Sequence, residues 1–142
     1  MSRWFTGLSG VGLILTVSVS MTIAGCGSGV SDRPDLARVT GTITLDGQPL
    51  ADANVTFQPA GARASMGTTD ALGKYELTYL NDVKGAVVGP NQVMITTARS
   101  GADDDPASAV AEKLPAKYHE QSTMTADVKA GSNVFDYDLT SK

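Results

Sequence analysis

Val39-Thr40-Gly41-Thr42-Ile43-Thr44-Leu45-Asp46-Gly47 is the stretch that decides the fold. Val39, Gly41, Ile43 and Leu45 alternate with Thr40, Thr42 and Thr44. That alternation belongs to a half-buried strand with β-branched residues on its second face. Asp46-Gly47 then offers a tight hairpin turn, because both residue types accept positive φ. Downstream the pattern recurs. Val55 and Phe57 alternate in a second strand closed by Pro59, and residues 61–64 form a loop. Residues 66–69 predict a short strand, Asp70-Ala71-Leu72-Gly73 a turn, and Tyr75, Leu77 and Tyr79 a further strand. Val87-Val88 leads into the breaker Gly89-Pro90, after which Val93, Ile95 and Thr97 alternate. Met124, Ala126 and Val128 alternate before a turn at Ala130-Gly131. Phe135, Tyr137 and Leu139 close the domain, with Asp136 and Asp138 on the opposite face. About seven short strands separated by turn signals predict an all-β fold, a single antiparallel β-sandwich.

One stretch breaks the rhythm. Residues 99–121 form a long connection in which Asp105-Pro106 followed by residues 107–113 predicts a short helix, with Asp as cap and Pro at the first position. Loops on a rigid sandwich often carry function, so this connection and the exposed strand edges are candidate contact surfaces.

Outward toward the N-terminus the chemistry changes. Residues 4–25 carry no charge and follow a single cation, Arg3; the most apolar part is 11–21. A positive start, an apolar centre and small residues at the end make a secretory signal. Its end, Ile23-Ala24-Gly25-Cys26, resembles the bacterial lipobox. The resemblance implies a diacylglyceryl group on the Cys26 sulfur, cleavage between Gly25 and Cys26, and palmitate-type acylation of the new amino group. A transmembrane anchor competes, since the uncharged stretch just spans a bilayer, but its glycines, serines and threonines leave it weakly apolar. A plain soluble signal with a chance cysteine is a further alternative. The expected organisation is therefore a lipoprotein signal peptide at 1–25, a lipidated cysteine and flexible linker at 26–38, and a β-sandwich domain at 39–142. The linker begins Gly27-Ser28-Gly29, and its flexible reach of roughly 20 Å keeps the domain near the bilayer. Two or more acyl chains hold such a protein stably on a membrane. Gly27, where an aspartate would retain the protein at the inner membrane of enterobacteria, favours the outer membrane, on its periplasmic or surface side.

Composition excludes other classes. The 142 residues suit one domain, and 11 basic against 15 acidic residues give a net charge of −4. That balance, with 6% aromatic residues, argues against a nucleic-acid partner. One cysteine forms no internal disulfide, and one histidine builds no His/Cys zinc cluster.

Val39-x-Gly41, then Asp46-Gly47-x-Pro49-Leu50-x-x-Ala53-x-Val55-x-Phe57, resembles the opening of carboxypeptidase regulatory-like domains. Thr69-Asp70-x-x-Gly73-x-Tyr75-x-Leu77 is similar to that family's second signature. Leu114-Pro115-Ala116-Lys117-Tyr118, with Val128-Lys129-x-Gly131, resembles the C-terminal part of small bacterial lipoproteins that carry this domain. The resemblance covers about residues 39–139 and implies a transthyretin-like (prealbumin-like, also immunoglobulin-like) sandwich. It brings no reacting group with it, because fold and function are separable. The transthyretin-like hydrolases of 5-hydroxyisourate use several histidines, an arginine and a C-terminal Tyr-Arg-Gly-Ser. This chain has only His119 and ends Asp138-Leu139-Thr140-Ser141-Lys142.

The remaining candidates weigh as follows. Asp103-Asp104-Asp105 offers oxygen ligands for calcium but lacks the alternating spacing of a calcium loop. Asp136 and Asp138, with Asp127 as a possible neighbour, pair on one strand face either as acid and base or as a solvated polar face. His119 reads as a loop-packing residue, and Tyr118 as the ring that tucks the connection against the sandwich. No Gly-x-Ser-x-Gly elbow supports nucleophilic catalysis, and the first strand has no lysine for an isopeptide bond. The expected function is a non-enzymatic, lipid-anchored cell-envelope protein without a cofactor. It meets the membrane through Cys26 and an envelope protein or glycan through its sandwich. The alternative is a carbohydrate- or calcium-binding envelope module.

Overall fold

The computed structural model describes residues 33–142. The expected signal peptide, the Gly25–Cys26 cleavage site and the lipidated Cys26 lie outside the described residues. The backbone forms ten strand segments in two sheets and no α-helix among the described residues. They are β1 (Leu36–Leu45), β2 (Gln48–Pro49), β3 (Asn54–Pro59), β4 (Ser65–Thr68), β5 (Lys74–Glu76), β6 (Ala86–Val87), β7 (Gly89–Thr96), β8 (Thr125–Val128), β9 (Ser132–Val134) and β10 (Tyr137–Leu139). Counting β9 and β10 as one interrupted strand, and setting aside the two-residue β2 and β6, seven strands build the sandwich.

One sheet has the order β4-β3-β7-β8 and is antiparallel throughout. The other is organised around β1, which pairs antiparallel with β2, β5 and β6. It also pairs with β9 and β10, and these two run parallel to it. Parallel pairing joins the first and last strands of the described residues, a relation that local alternation does not encode. The strand begins earlier than the expected domain boundary. Leu36 and Ala37 already pair with β6, and Arg38 with β9, so residues 36–38, expected in the linker, belong to the first strand.

The period of two becomes the core. Val39 and Ile43 of β1, Val55 and Phe57 of β3, and Val93 and Ile95 of β7 are fully buried between the sheets. Leu77, Val128 and Leu139 complete the layer. Each large aliphatic or aromatic side chain buried there contributes about 1.5–3 kcal/mol of transfer free energy. Asp46 and Gly47 both adopt positive φ, at 50° and 81°, and set the two-residue hairpin between β1 and β2. Gly89-Pro90, expected as a breaker, is instead the start of β7, with Pro90 opposite Asp127 at the strand's first residues. Proline is tolerated there because few ladder bonds need its missing N–H.

The long connection contains no α-helix. Residues 107–113, expected as one, contribute to a single 3₁₀ turn at Pro106–Ser108; a second follows at Ala116–Tyr118. The start signal works as read, since Asp105 caps the first turn through the Ala107 N–H at 3.1 Å. A stretch this short has little helical stability of its own, and the chain leaves the turn to pair Arg99 with Val110 and to bury Leu114.

Candidate functional site

The two sheets present unlike outer faces. On the β1 sheet, the register aligns Lys74 with Thr42, and Glu76 with Thr40 and Val134. These side chains, with Arg38, Asp70 and Asp136, line an open cleft of about 480 Å³. Its floor is the interruption between β9 and β10. Phe135 donates its N–H to the Thr40 carbonyl at 2.9 Å. At the next position the Asp136 carboxylate replaces a backbone carbonyl and accepts the Thr42 N–H at 2.7 Å. The freed Phe135 carbonyl accepts the Tyr75 hydroxyl at 2.7 Å. Gly41 makes this closeness possible, since a Cβ there would collide with the Phe135 carbonyl oxygen and the Tyr75 ring.

The polar groups of the cleft are largely committed to structure. Asp70 accepts the Leu72 and Lys74 N–H groups, each at 2.9 Å, and so fixes the turn before β5. Glu76 takes Arg38 at 2.8 Å and Lys84 at 3.4 Å. Desolvation opposes the charge on Glu76, but the Arg38 and Lys84 cations outweigh it and lower its pKa. The Tyr75 phenol is pushed well above the usual tyrosine range by burial, then by Tyr137 and Asp136 beside it.

On the β3–β7 sheet the register produces a different surface. Four cross-strand rows face outward: Thr68–Asn54–Thr96, Met66–Thr56–Met94, Gln58–Gln92–Thr125 and, at the β8 end, Pro90–Asp127. Asp127, at the edge strand and paired with Lys129, is the one charged residue among these rows. Thr56, Met94 and Thr96 form the floor of a groove of about 430 Å³, walled by Ala98, Glu112, His119 and Glu120 from the long connection. Glu112 organises that wall. Its carboxylate accepts the hydroxyls of Thr96 and Thr97 and the N–H groups of Thr97 (3.0 Å), Lys113 (2.9 Å) and Leu114 (3.0 Å). Desolvation opposes ionisation, yet the Thr96 hydroxyl and the Thr97 and Leu114 donors outweigh it, holding the carboxyl far below the usual range. His119 bonds the Leu114 carbonyl through Nε2 at 3.1 Å, which makes Nε2 the protonated nitrogen.

The residues singled out in the sequence scatter. Asp103 and Asp104 lie exposed in the turn before Pro106, while Asp105 is occupied as a cap. Among the described residues no three His, Cys, Asp or Glu side chains converge to hold a metal ion. Asp136 and Asp138 both lie beside β1, where Asp138 accepts the Thr44 hydroxyl, so each carboxylate is bonded to its own threonine position. Asp127 is on the other sheet, paired with Lys129. Tyr118 packs against the core as expected and donates or accepts at Thr140. Glu112, which builds one wall of a groove, carried no signal in the sequence.

No protein-family model matches the chain, and no curated protein does. Among solved structures it is similar to a DUF3823 family protein from Parabacteroides merdae, at 14% identity over 76% of this chain and 46% of that one, with a TM-score of 0.41. It is similar also to a 9R-lipoxygenase from Cyanothece, at 16% identity over 74% of this chain and 16% of that one, with a TM-score of 0.41. The chain thus spans less than half the length of either protein. The fold assignment rests on the strand pairing above.

Proposed function

We propose that this chain is a lipid-anchored protein of the bacterial cell envelope whose β-sandwich, of the carboxypeptidase regulatory-like kind, is a non-catalytic binding module. The observation that carries the reading is Ile23-Ala24-Gly25-Cys26, a lipobox-like motif placed shortly before the first paired residue, Leu36. A short tether on acylated Cys26 holds the sandwich beside a membrane, where its broad faces meet another envelope component. The disposition of the carboxylates supports a binding role. Asp70, Asp136, Asp138 and Glu112 each accept backbone or hydroxyl hydrogens that shape turns and strand pairings. Groups engaged in this way hold the fold and leave neighbouring hydroxyl and uncharged rows to make contacts.

The test is the mass of the N-terminal peptide from detergent-extracted native protein, measured beside a Cys26→Ser variant. The expected peptide starts at Cys26 and carries acyl chains that the variant lacks. A peptide starting at Met1, or an unmodified Cys26, overturns the anchor. Crosslinking in native envelopes then tests the binding role, and repeated failure to recover a specific neighbour counts against it.

A further inference from the structure

The two outer faces of the sandwich divide the charges unequally. Arg38, Lys74, Glu76 and Asp136 all lie on the β1 sheet. On the opposite sheet the three rows across β4, β3 and β7 hold threonine, asparagine, glutamine and two methionines, and charge is confined to the β8 edge at Asp127 and Lys129. A solvated sheet face normally carries charge, and depletion of charge with enrichment of methionine marks contact surfaces. Met66 is 57% exposed in the middle row, directly across Thr56 from Met94. Methionine is flexible and polarizable, and suits a surface that must shape itself to a partner.

The rim indicates what the partner carries. Glu112 and Glu120 stand on one wall of the groove above Met94, and neither forms an ion pair among the described residues. The Glu112 carboxylate is held ionised by its fixed donors and keeps its negative charge at the edge of an apolar floor. A lysine or arginine side chain matches this arrangement: its aliphatic stem lies over Met94 and Thr56, and its cation reaches exposed Glu120, with the fixed negative charge of the internally bonded Glu112 beside it. A glycan fits less well, because no Tyr, Trp or Phe ring lines the groove. An anionic lipid surface would be repelled by the rim. A second copy of the chain would have to offer its other, charged face in a heterologous head-to-tail contact.

We infer that the Met66–Thr56–Met94 face and the adjoining Glu112–Glu120 groove form a docking surface for a polypeptide segment that inserts a lysine or arginine. The inference rests on the reading of the sandwich as a binding module and names the face and the partner's chemistry.

The experiment uses the full chain in detergent with ¹³C-methyl methionine and ¹⁵N backbone labels. The probe is the peptide acetyl-Ala-Lys-Leu-Lys-Ala-amide, with its Nε-acetylated form as control. The expected result is that the lysine peptide shifts the Met66 and Met94 methyl signals and leaves Met124, packed against the core, in place. Acetylation should abolish the shift, and added salt should weaken it. Glu120→Gln, at an exposed position, should weaken binding about three- to fivefold, the scale of one exposed ion pair. The inference is overturned by equal binding of the acetylated peptide, or by shifts confined to the Thr42 and Lys74 amides of the other face. Concentration-dependent Met66 and Met94 shifts without peptide, which indicate self-association, also overturn it, as does the absence of any shift up to about 10 mM peptide. None of these outcomes bears on the lipid anchor or on envelope crosslinks, so the broader reading stands or falls separately.

Discussion

Replacing Gly41 by alanine puts a methyl group against the Phe135 carbonyl oxygen and the Tyr75 ring. A Cβ has no rotamer to escape into, so β1 and the C-terminal strand must separate locally. The expected loss is about 3 kcal/mol, at the upper end of overpacking costs. It reads as a lower urea midpoint with an unchanged slope. Tyr75→Phe keeps the ring and deletes only the hydroxyl that donates to Phe135. Its cost should be smaller, about 1–2 kcal/mol, because a buried carbonyl loses its partner. Both substitutions act through one carbonyl, so the double variant should lose less than the two losses added together. Strict additivity would show that the Gly41 notch and the Tyr75 hydroxyl are independent, contrary to the geometry.

One carboxylate anchors the long connection at the level of elements. Glu112 joins the end of β7 to the chain before Leu114, beside the Thr97 hydroxyl, which accepts the Lys113 N–H at 2.8 Å, and the Arg99–Val110 bridge. Its carboxyl is depressed in the folded protein, so its stabilisation is fully present above the ordinary glutamate range near pH 4.5 and is lost as the pH falls below it. Glu112→Gln should remove about 1–3 kcal/mol at neutral pH, since an amide accepts fewer hydrogens and brings no charge. It should also speed hydrogen exchange at the Thr97, Lys113 and Leu114 amides and flatten the acid limb of the stability profile. An unchanged acid limb in the variant would assign acid sensitivity to other groups. The contrast with the strands explains what the sequence made legible. β1 and β3 were readable because alternation and the Asp46-Gly47 turn are local properties. Leu114 and Glu112 were not, because they gain meaning only where the connection meets β7. The parallel pairing of β9 and β10 with β1 was hidden for the same reason: its register joins residues at opposite ends of the domain, such as Ile43 and Tyr137. Both grooves arise from cross-strand rows, and a row becomes visible only when the register is known.

Across the whole molecule, the sandwich seals two tyrosines where its first and last strands meet, and this makes alkaline stability a test of the topology. Tyr75 donates to Phe135 beneath the Gly41 notch, and Tyr137 lies opposite Ile43 in the parallel pairing. Burial pushes the Tyr137 phenol up to about 12, and Tyr75 is raised further. Tyr118 packs its ring against the core but leaves its hydroxyl exposed, and hydrogen bonds with Thr140 lower its pKa. A phenol raised in the folded state favours folding only while the unfolded chain keeps its proton. The contribution is therefore complete below the ordinary tyrosine value of about 10 and disappears as the pH climbs through about 12. Absorbance titration should show Tyr118 ionising early and Tyr137 late, with the urea midpoint falling over the same alkaline interval. Tyr137→Phe should keep the ring in place and shallow that fall, because its buried group no longer titrates. If Tyr137 ionises near pH 10 while the chain remains folded, the phenol is open to water. The closure of the sandwich by a parallel C-terminal strand would then be wrong at the position where β1 meets β10.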